Sequence, residues 1–262
     1  MLQRQLNHGW QVAGTAFGLL LLYSGAFLLS LIVAPALRLV LPQKRSRQTM
    51  RQAIYRACQF YIFILESLGL ASIEWINLDS YPAERPLLLI ANHPTLLDVV
   101  IILAKIPAIN LVAKDNLWNN AVFSGILHSI GAIRNGKDQD PQLFIQQCAD
   151  CISAGDSLLI FPEGTRSTPG KLNKFSRAPA AIALKTGSLI VPICIVSKPA
   201  ILTKQHPWYN NRAHKASIRL HILEPLAIRQ MQPRYANPYI ARRELTEKIS
   251  NLFLKKLRNE DS

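Results

Sequence analysis

Strands alternating with helices over residues 70–262 predict an α/β domain with a mostly parallel sheet flanked by helices, preceded by one N-terminal transmembrane helix. Three observations carry that expectation. Two short, wholly apolar runs at residues 87–91 and 158–161 have strand length, and each leads into a polar segment. Helical apolar spacing fills the stretches around them. Between residues 5 and 37 there is no Asp, Glu, Lys or Arg, a run longer than the roughly 20 residues that cross a bilayer.

Taken in order, the apolar run is densest from Trp10 to Ala34 and is followed by Arg38, Lys44, Arg45, Arg47, Arg51 and Arg56. Residues 48–70 repeat Ile54, Cys58, Tyr61, Ile62, Leu65 and Leu68 at helical spacing, which suits packing on the domain or lying on a membrane surface. Residues 72–78 alternate as a strand, and Asp79-Ser80-Tyr81-Pro82 makes a turn. Strand 87–91 leads into a helix expected over 95–104. A third strand is expected at 110–113, one helix over 117–130, a short strand at 131–134 and a helix opened by residues 138–141. After strand 158–161 comes a loop from Glu163 to Arg177. A helix at 178–185, a buried strand at 189–196, an edge strand at 217–223 and a surface helix at 240–257 complete the chain.

Charge and cysteine usage narrow the function classes. The net charge of +14 divides evenly, with seven Lys/Arg and no acid in residues 1–56. Basic residues after an apolar span place the body of the protein on the cytoplasmic side and suit an anionic lipid surface. A cleaved signal peptide would have a shorter apolar core and its positive charge on the other flank. Nucleic acid is not an expected partner, since no binding motif accompanies the basic residues. Cys58, Cys148, Cys151 and Cys194 make no disulfide framework, and Cys148-x2-Cys151 lacks a second ligand pair, so no metal is expected.

The polar exits of the two apolar strands carry the candidate chemistry. His93 and Asp98 form H-x4-D directly after the first. Within one helix they would lie about 140° apart, so pairing needs His93 ahead of the first turn and Asp98 inside it, with Thr95 as a cap. Asp98 would then fix one ring nitrogen and leave the other as a base. The alternative is a histidine that only hydrogen-bonds at a helix start. Glu163 and Arg166 follow the second strand, and Arg166 with Lys171, Lys174 and Arg177 offers donors for a phosphate, or is simply a solvated loop. Arg134 ends its own strand. With no G-x-S-x-G and no Cys beside a His, direct transfer is favoured over a covalent intermediate.

Asn92-His93-x4-Asp98 with Phe161-Pro162-Glu163-Gly164-Thr165-Arg166-Ser167 resembles the glycerolipid acyltransferase family, which includes the 1-acylglycerol-3-phosphate acyltransferases. Gly131-Ala132-Ile133-Arg134 is similar to the family's intervening block, and Ile190-Val191-Pro192-Ile193 to its last one. The resemblance implies an acyltransferase domain over residues 48–262 behind an anchor and basic flank at 1–47. It implies acyl transfer from acyl-CoA or acyl carrier protein as co-substrate, without a cofactor, to a hydroxyl of a lysophospholipid. His93 would be the base and Asp98 its orienting partner, with Arg134, Glu163, Gly164, Thr165 and Arg166 binding substrate. Membrane lipids would be the partners, and the location the inner membrane of a bacterium, single-pass. Three positions depart from the family pattern: Pro94, Ala178 where Gly is usual, and Ile195 in place of a second Pro. They leave a glycolipid or aryl-polyene-type acceptor as alternatives, beside a lipid-binding protein without turnover or a hydrolase.

Overall fold

The structure is a computed structural model that describes residues 2–82, 86–168, 171–205, 207–209, 215–228 and 237–261. The chain divides into two compact units, one made of residues 1–73, 95–137 and 197–218, the other of residues 74–94, 138–196 and 219–262. The first holds the N-terminal helices. The second holds the strands whose exits carry both motifs.

In the first unit, α1 (Leu2–Leu28) passes through one π-helical turn, Leu29–Val33, into α2 (Ala34–Val40). Pro35 sits in the first turn of α2. It lacks an N–H and crowds the carbonyl four residues back, which accounts for the widened turn just before it. After Leu41-Pro42 the chain reverses into α3 (Gln43–Ser67). α3 returns beside α1: the Trp10 indole donates to the Leu68 carbonyl at 3.0 Å and the Gln11 amide to Gly69 at 3.2 Å. A Cβ on Gly14 would stand 2.5 Å from a methyl of Leu70, so a larger residue here would require that side chain to shift. At the far end Ala34, Met50, Ile54 and Ile130 close a core. The apolar run is therefore one side of a helical pair, with residues 7–40 long and apolar enough to cross a membrane.

The same unit contains α4 (Asp98–Lys105), β3 (Ile109–Lys114), α5 (Asp115–Trp118), α6 (Ala121–Ile130) and β4 (Ile133–Asn135). β3 and β4 are parallel, with Lys114 opposite Asn135. The helix expected over 117–130 is two helices, because the Asn120 side chain caps the Val122 N–H at 2.9 Å and starts α6 afresh. The buried Arg51 guanidinium on α3 donates to the Ile130 carbonyl at 2.9 Å, a favourable place for a cation at the end of α6.

In the second unit β2 (Leu87–Ala91) is buried at every position. It lies between β5 (Ser157–Ile160) and β6 (Leu189–Lys198), parallel to both. A strand covered on both faces has no polar side to show, hence the unbroken LLLIA. β7 (Ala216–Ile222) runs on the other side of β6, between it and β1 (Ala71–Ile76), with the first halves of β1 and β7 in the other unit. Residues 217–223 are therefore interior rather than an edge, consistent with buried Ile218, Leu220 and Ile222. A short β8 (Leu226–Ala227) pairs antiparallel with β6. α7 (Pro141–Ser153), capped by Asp140, and α8 (Ala178–Thr186) follow β4 and the second motif. α9 (Pro238–Asp261) buries Leu245, Ile249 and Phe253, with Phe253 edge-on to Phe175 at 5.3 Å. The expected α/β class, a mostly parallel sheet flanked by helices and preceded by an apolar N-terminal helix, is the one observed.

Candidate active site

Register places the two motifs side by side. Ile90 pairs with Ile160, so β2 and β5 end within one residue of each other, and three residues on His93 faces Glu163 across the parallel pair. The His93 backbone N–H donates to Glu163 Oε1 at 3.1 Å, and the Ser167 N–H donates to the His93 carbonyl at 2.7 Å. Both backbone groups of the histidine are thus held by the second motif. Its ring stacks on Phe161 with centroids 4.5 Å apart at 31°.

Glu163 is the hub of its loop. Oε1 also accepts the Ser167 hydroxyl at 2.6 Å, and Oε2 accepts the Asn173 N–H at 2.8 Å. The Asn173 amide donates to the Arg166 carbonyl at 3.3 Å, and the Ser176 N–H to Pro162 at 2.9 Å. Gly164 turns the chain at φ +63°, a conformation strained for other residues, and its N–H donates to the Phe161 carbonyl at 3.0 Å. A carboxylate accepting three hydrogen bonds orders the loop that presents Gly164, Thr165 and Arg166.

Asn92 fixes the other side of the same corner. Its amide donates to the Ile195 carbonyl at 2.8 Å, and its Oδ1 accepts the Ile195 N–H at 2.6 Å, with both residues nearly inaccessible. A proline at 195 has no N–H to give. The departure from the family pattern at Ile195 therefore supplies half of the clamp that sets the residue before His93.

In the first unit Thr95 and Asp98 are wholly buried. The Thr95 N–H donates to Asp98 Oδ2 at 2.8 Å and its hydroxyl to Oδ1 at 2.6 Å. The same hydroxyl accepts the Leu97 N–H at 3.1 Å. Residues 95–97 are a turn rather than the first turn of the expected helix, and α4 begins at Asp98, a carboxylate at a helix N-terminus. Thr95 thus orients Asp98 rather than capping in its place. Arg134 on β4 donates from Nε to Asp115 Oδ1 at 2.5 Å, which leaves its terminal nitrogens outside that ion pair. Lys114 is the exposed last residue of β3 and has no role assigned from the sequence. A lone lysine at a strand end gave no signal there.

The four cysteines are free thiols, Cys148 and Cys194 fully buried, and burial pushes the Cys194 thiol up to about 12. Among the described residues no cluster of three or more His, Cys, Asp or Glu is placed to hold a metal ion.

A family model described as Acyltransferase matches residues 72–196. The chain is 25% identical over 184 residues to a chloroplastic 1-acyl-sn-glycerol-3-phosphate acyltransferase of Arabidopsis thaliana, covering 68% of this chain and 50% of that protein. It is 29% identical over 190 residues to a 1-acyl-sn-glycerol-3-phosphate acyltransferase of Pseudomonas aeruginosa, covering 70% of each. The chain thus spans half the length of the Arabidopsis relative. The crystal structure of the 1-acyl-sn-glycerophosphate acyltransferase PlsC from Thermotoga maritima shares the fold, with a TM-score of 0.66 at 17% identity over 100% of this chain and 97% of that one. The acyltransferase match spans both strand-exit motifs and their β-strands, and over that stretch the chain is similar to the 1-acyl-sn-glycerol-3-phosphate acyltransferases.

Proposed function

We propose that the chain transfers an acyl group from acyl-CoA or an acylated carrier protein to a hydroxyl of a lysophospholipid such as 1-acylglycerol-3-phosphate. The observation that carries this reading is the in-register pairing of β2 with β5, which holds both backbone groups of His93 against the Glu163–Ser167 segment. In the proposed reaction one ring nitrogen takes the proton of the acceptor hydroxyl, with Asp98 orienting the ring through the other. The freed oxygen attacks the thioester carbonyl carbon. The tetrahedral species then expels the thiolate, which takes the proton back from the imidazolium, so the new ester and a free thiol leave together. Arg134, Glu163, Gly164, Thr165 and Arg166 serve substrate binding, Glu163 by ordering the loop and the arginines by charge.

Helix packing and donor chemistry support a reading of the location. Were α1 to cross the bilayer, α3, which lies beside it from Leu68 to Met50, would carry Arg51 and Arg56 into the hydrocarbon. Each arginine at the bilayer centre costs roughly 3 kcal/mol or more. That favours α1 and α2 entering one face of the membrane, with exposed Phe17, Leu20, Phe27 and Ile32 toward lipid. Acyl-CoA and acyl carrier protein are cytoplasmic thioesters, which supports a domain on that side.

The test is direct. Purified protein is given 1-acylglycerol-3-phosphate with each thioester, and products are read by mass spectrometry. A diacyl product with released thiol is expected. Free fatty acid instead would make the protein a hydrolase, and stoichiometric lipid binding without thioester loss would make it a binding protein.

A further inference from the structure

We propose that the carboxyl ends of β3 and β4, with loop residues 199–205 and 207–209, form a docking surface for the anionic headgroups of a phospholipid bilayer, separate from the apolar helices. The inference concerns attachment and holds whichever acyl acceptor is used.

Three lysines define the surface. Lys114 is the last residue of β3, opposite Asn135, and Lys137 lies two residues beyond that partner. Lys204 comes from the loop, and all three are exposed. Partial burial holds the Lys114 ammonium below its ordinary range, and Lys204 and Lys137 press it further the same way. Asp115, the carboxylate next in sequence to Lys114, is engaged by Arg134. Among the described residues no carboxylate pairs with any of the three lysines. Like charges brought together without a counter-ion mark a place where an anion binds.

Exposed apolar residues accompany the charge. Trp208 and Tyr209 are 41% and 57% exposed, edge to face with centroids 5.7 Å apart, and Leu117 just after Lys114 is 38% exposed. Lysine beside exposed Trp and Tyr is the composition of proteins at the headgroup level, where the ring enters the boundary and the amine reaches phosphate. The loop is seated firmly. The Leu96 N–H donates to the Leu202 carbonyl at 3.3 Å, and Ile201 and Leu202 line a small cavity with Gln11 and Thr15 of α1 and Leu65 of α3. An acidic carrier protein would also answer to the lysines. The continuity of this loop with the apolar helices in one unit favours the bilayer.

Full-length protein keeping Trp208 as its one tryptophan, with Trp10, Trp75 and Trp118 changed to Phe, is mixed with phosphatidylcholine vesicles with or without phosphatidylglycerol. A fraction of the lipid carries brominated acyl chains. Trp208 fluorescence should be quenched, more strongly with phosphatidylglycerol and less at high salt. Lys137→Gln with Lys204→Gln should weaken the phosphatidylglycerol-dependent binding by roughly fivefold per lysine. Trp208→Ala with Tyr209→Ala, in the otherwise natural chain, should lower vesicle affinity while transfer to a detergent-dispersed acceptor persists. Unquenched Trp208 in protein that sediments with vesicles would overturn the proposal. So would quenching unchanged by the lysine substitutions, and in that case slower transfer from acyl carrier protein but not from acyl-CoA would assign the lysines to the donor. Quenching is read without substrate, so its outcome is independent of whether acyl transfer occurs.

Discussion

Two pairs of parallel strands end in polar residues, and they end differently. At the β2–β5 corner every polar group the chain needs for position has a partner: Asn92 on Ile195, Glu163 on His93, Ser167 and Asn173. At the β3–β4 edge Arg134 pairs with Asp115, while Lys114, Lys137 and Lys204 remain exposed and share no carboxylate among the described residues. The corner is arranged for geometry and the edge for charge. Proton transfer depends on a few tenths of an ångström, whereas capture of an anionic surface depends on field and tolerates mobile side chains.

The largest effect should separate chemistry from support. His93→Ala should lower the acyl-transfer rate by roughly 10³-fold, within the range of a lost general base, with the melting temperature unchanged, since the ring and not the backbone is removed. A residual rate within tenfold of the natural protein would show that the corner holds a structural histidine.

Glu163→Ala should act on both. Removing a charged acceptor from two backbone N–H groups and a hydroxyl costs about 3 kcal/mol, read by chemical denaturation. Activity should fall with it, because the Gly164–Arg166 turn loses its tie to His93. Loss of activity with full stability would instead mean that Glu163 meets substrate directly.

How much of this the sequence held depends on what each feature needs. The strands and both motif exits were legible because burial on two faces forces an unbroken apolar run, and because a polar break after it has few other causes. The relation of His93 to Glu163 was not, since it rests on the β2–β5 register, which pairs residues 70 positions apart. Nor was the Asn92–Ile195 clamp, in which Ile195 contributes only backbone and so leaves no side-chain signature. The extent of helix 95–104 was misplaced for a local reason: the Thr95 hydroxyl competes for the turn and delays the helix to Asp98. The lysine edge was invisible because single lysines at strand ends are ordinary until folding groups them.

The clamp supplies the next test of the corner. Asn92→Ala leaves the Ile195 N–H and carbonyl buried without their partners, at roughly 2 kcal/mol, and Ile195→Pro removes the donor while leaving the Asn92 oxygen unmet. Both should loosen the residue before His93 and reduce the rate more than they change the affinity for substrate. Equal stability in Ile195→Pro would show that a solvent molecule replaces the missing donor.

A third polar group sharpens the contrast, because it is buried like the corner and charged like the edge. His221 on β7 is 2% exposed, with Nε2 3.2 Å from Glu260 of α9, yet neither ring nitrogen has an aligned hydrogen bond. Burial, then Lys256, holds its pKa below the ordinary 6.5, against the opposing pull of Glu260 and Glu74, with Arg219 also lowering it. Glu260 takes Arg219 at 2.6 Å and Lys256 at 2.8 Å, and the Lys256 hydrogen bond holds its carboxyl below 4.5. The unfolded chain therefore binds the His221 proton first as pH falls below 6.5, and stability declines from there until the lower folded value is reached. The Glu260 contribution is present above 4.5 and is lost at lower pH, in the same direction. His221→Leu should flatten the upper part of this decline, measured as melting temperature against pH, while leaving the part below 4.5 in place. A slope between pH 6.5 and 5 unchanged in His221→Leu would mean that the histidine is already satisfied in the folded protein, and that burial without alignment costs nothing at this site.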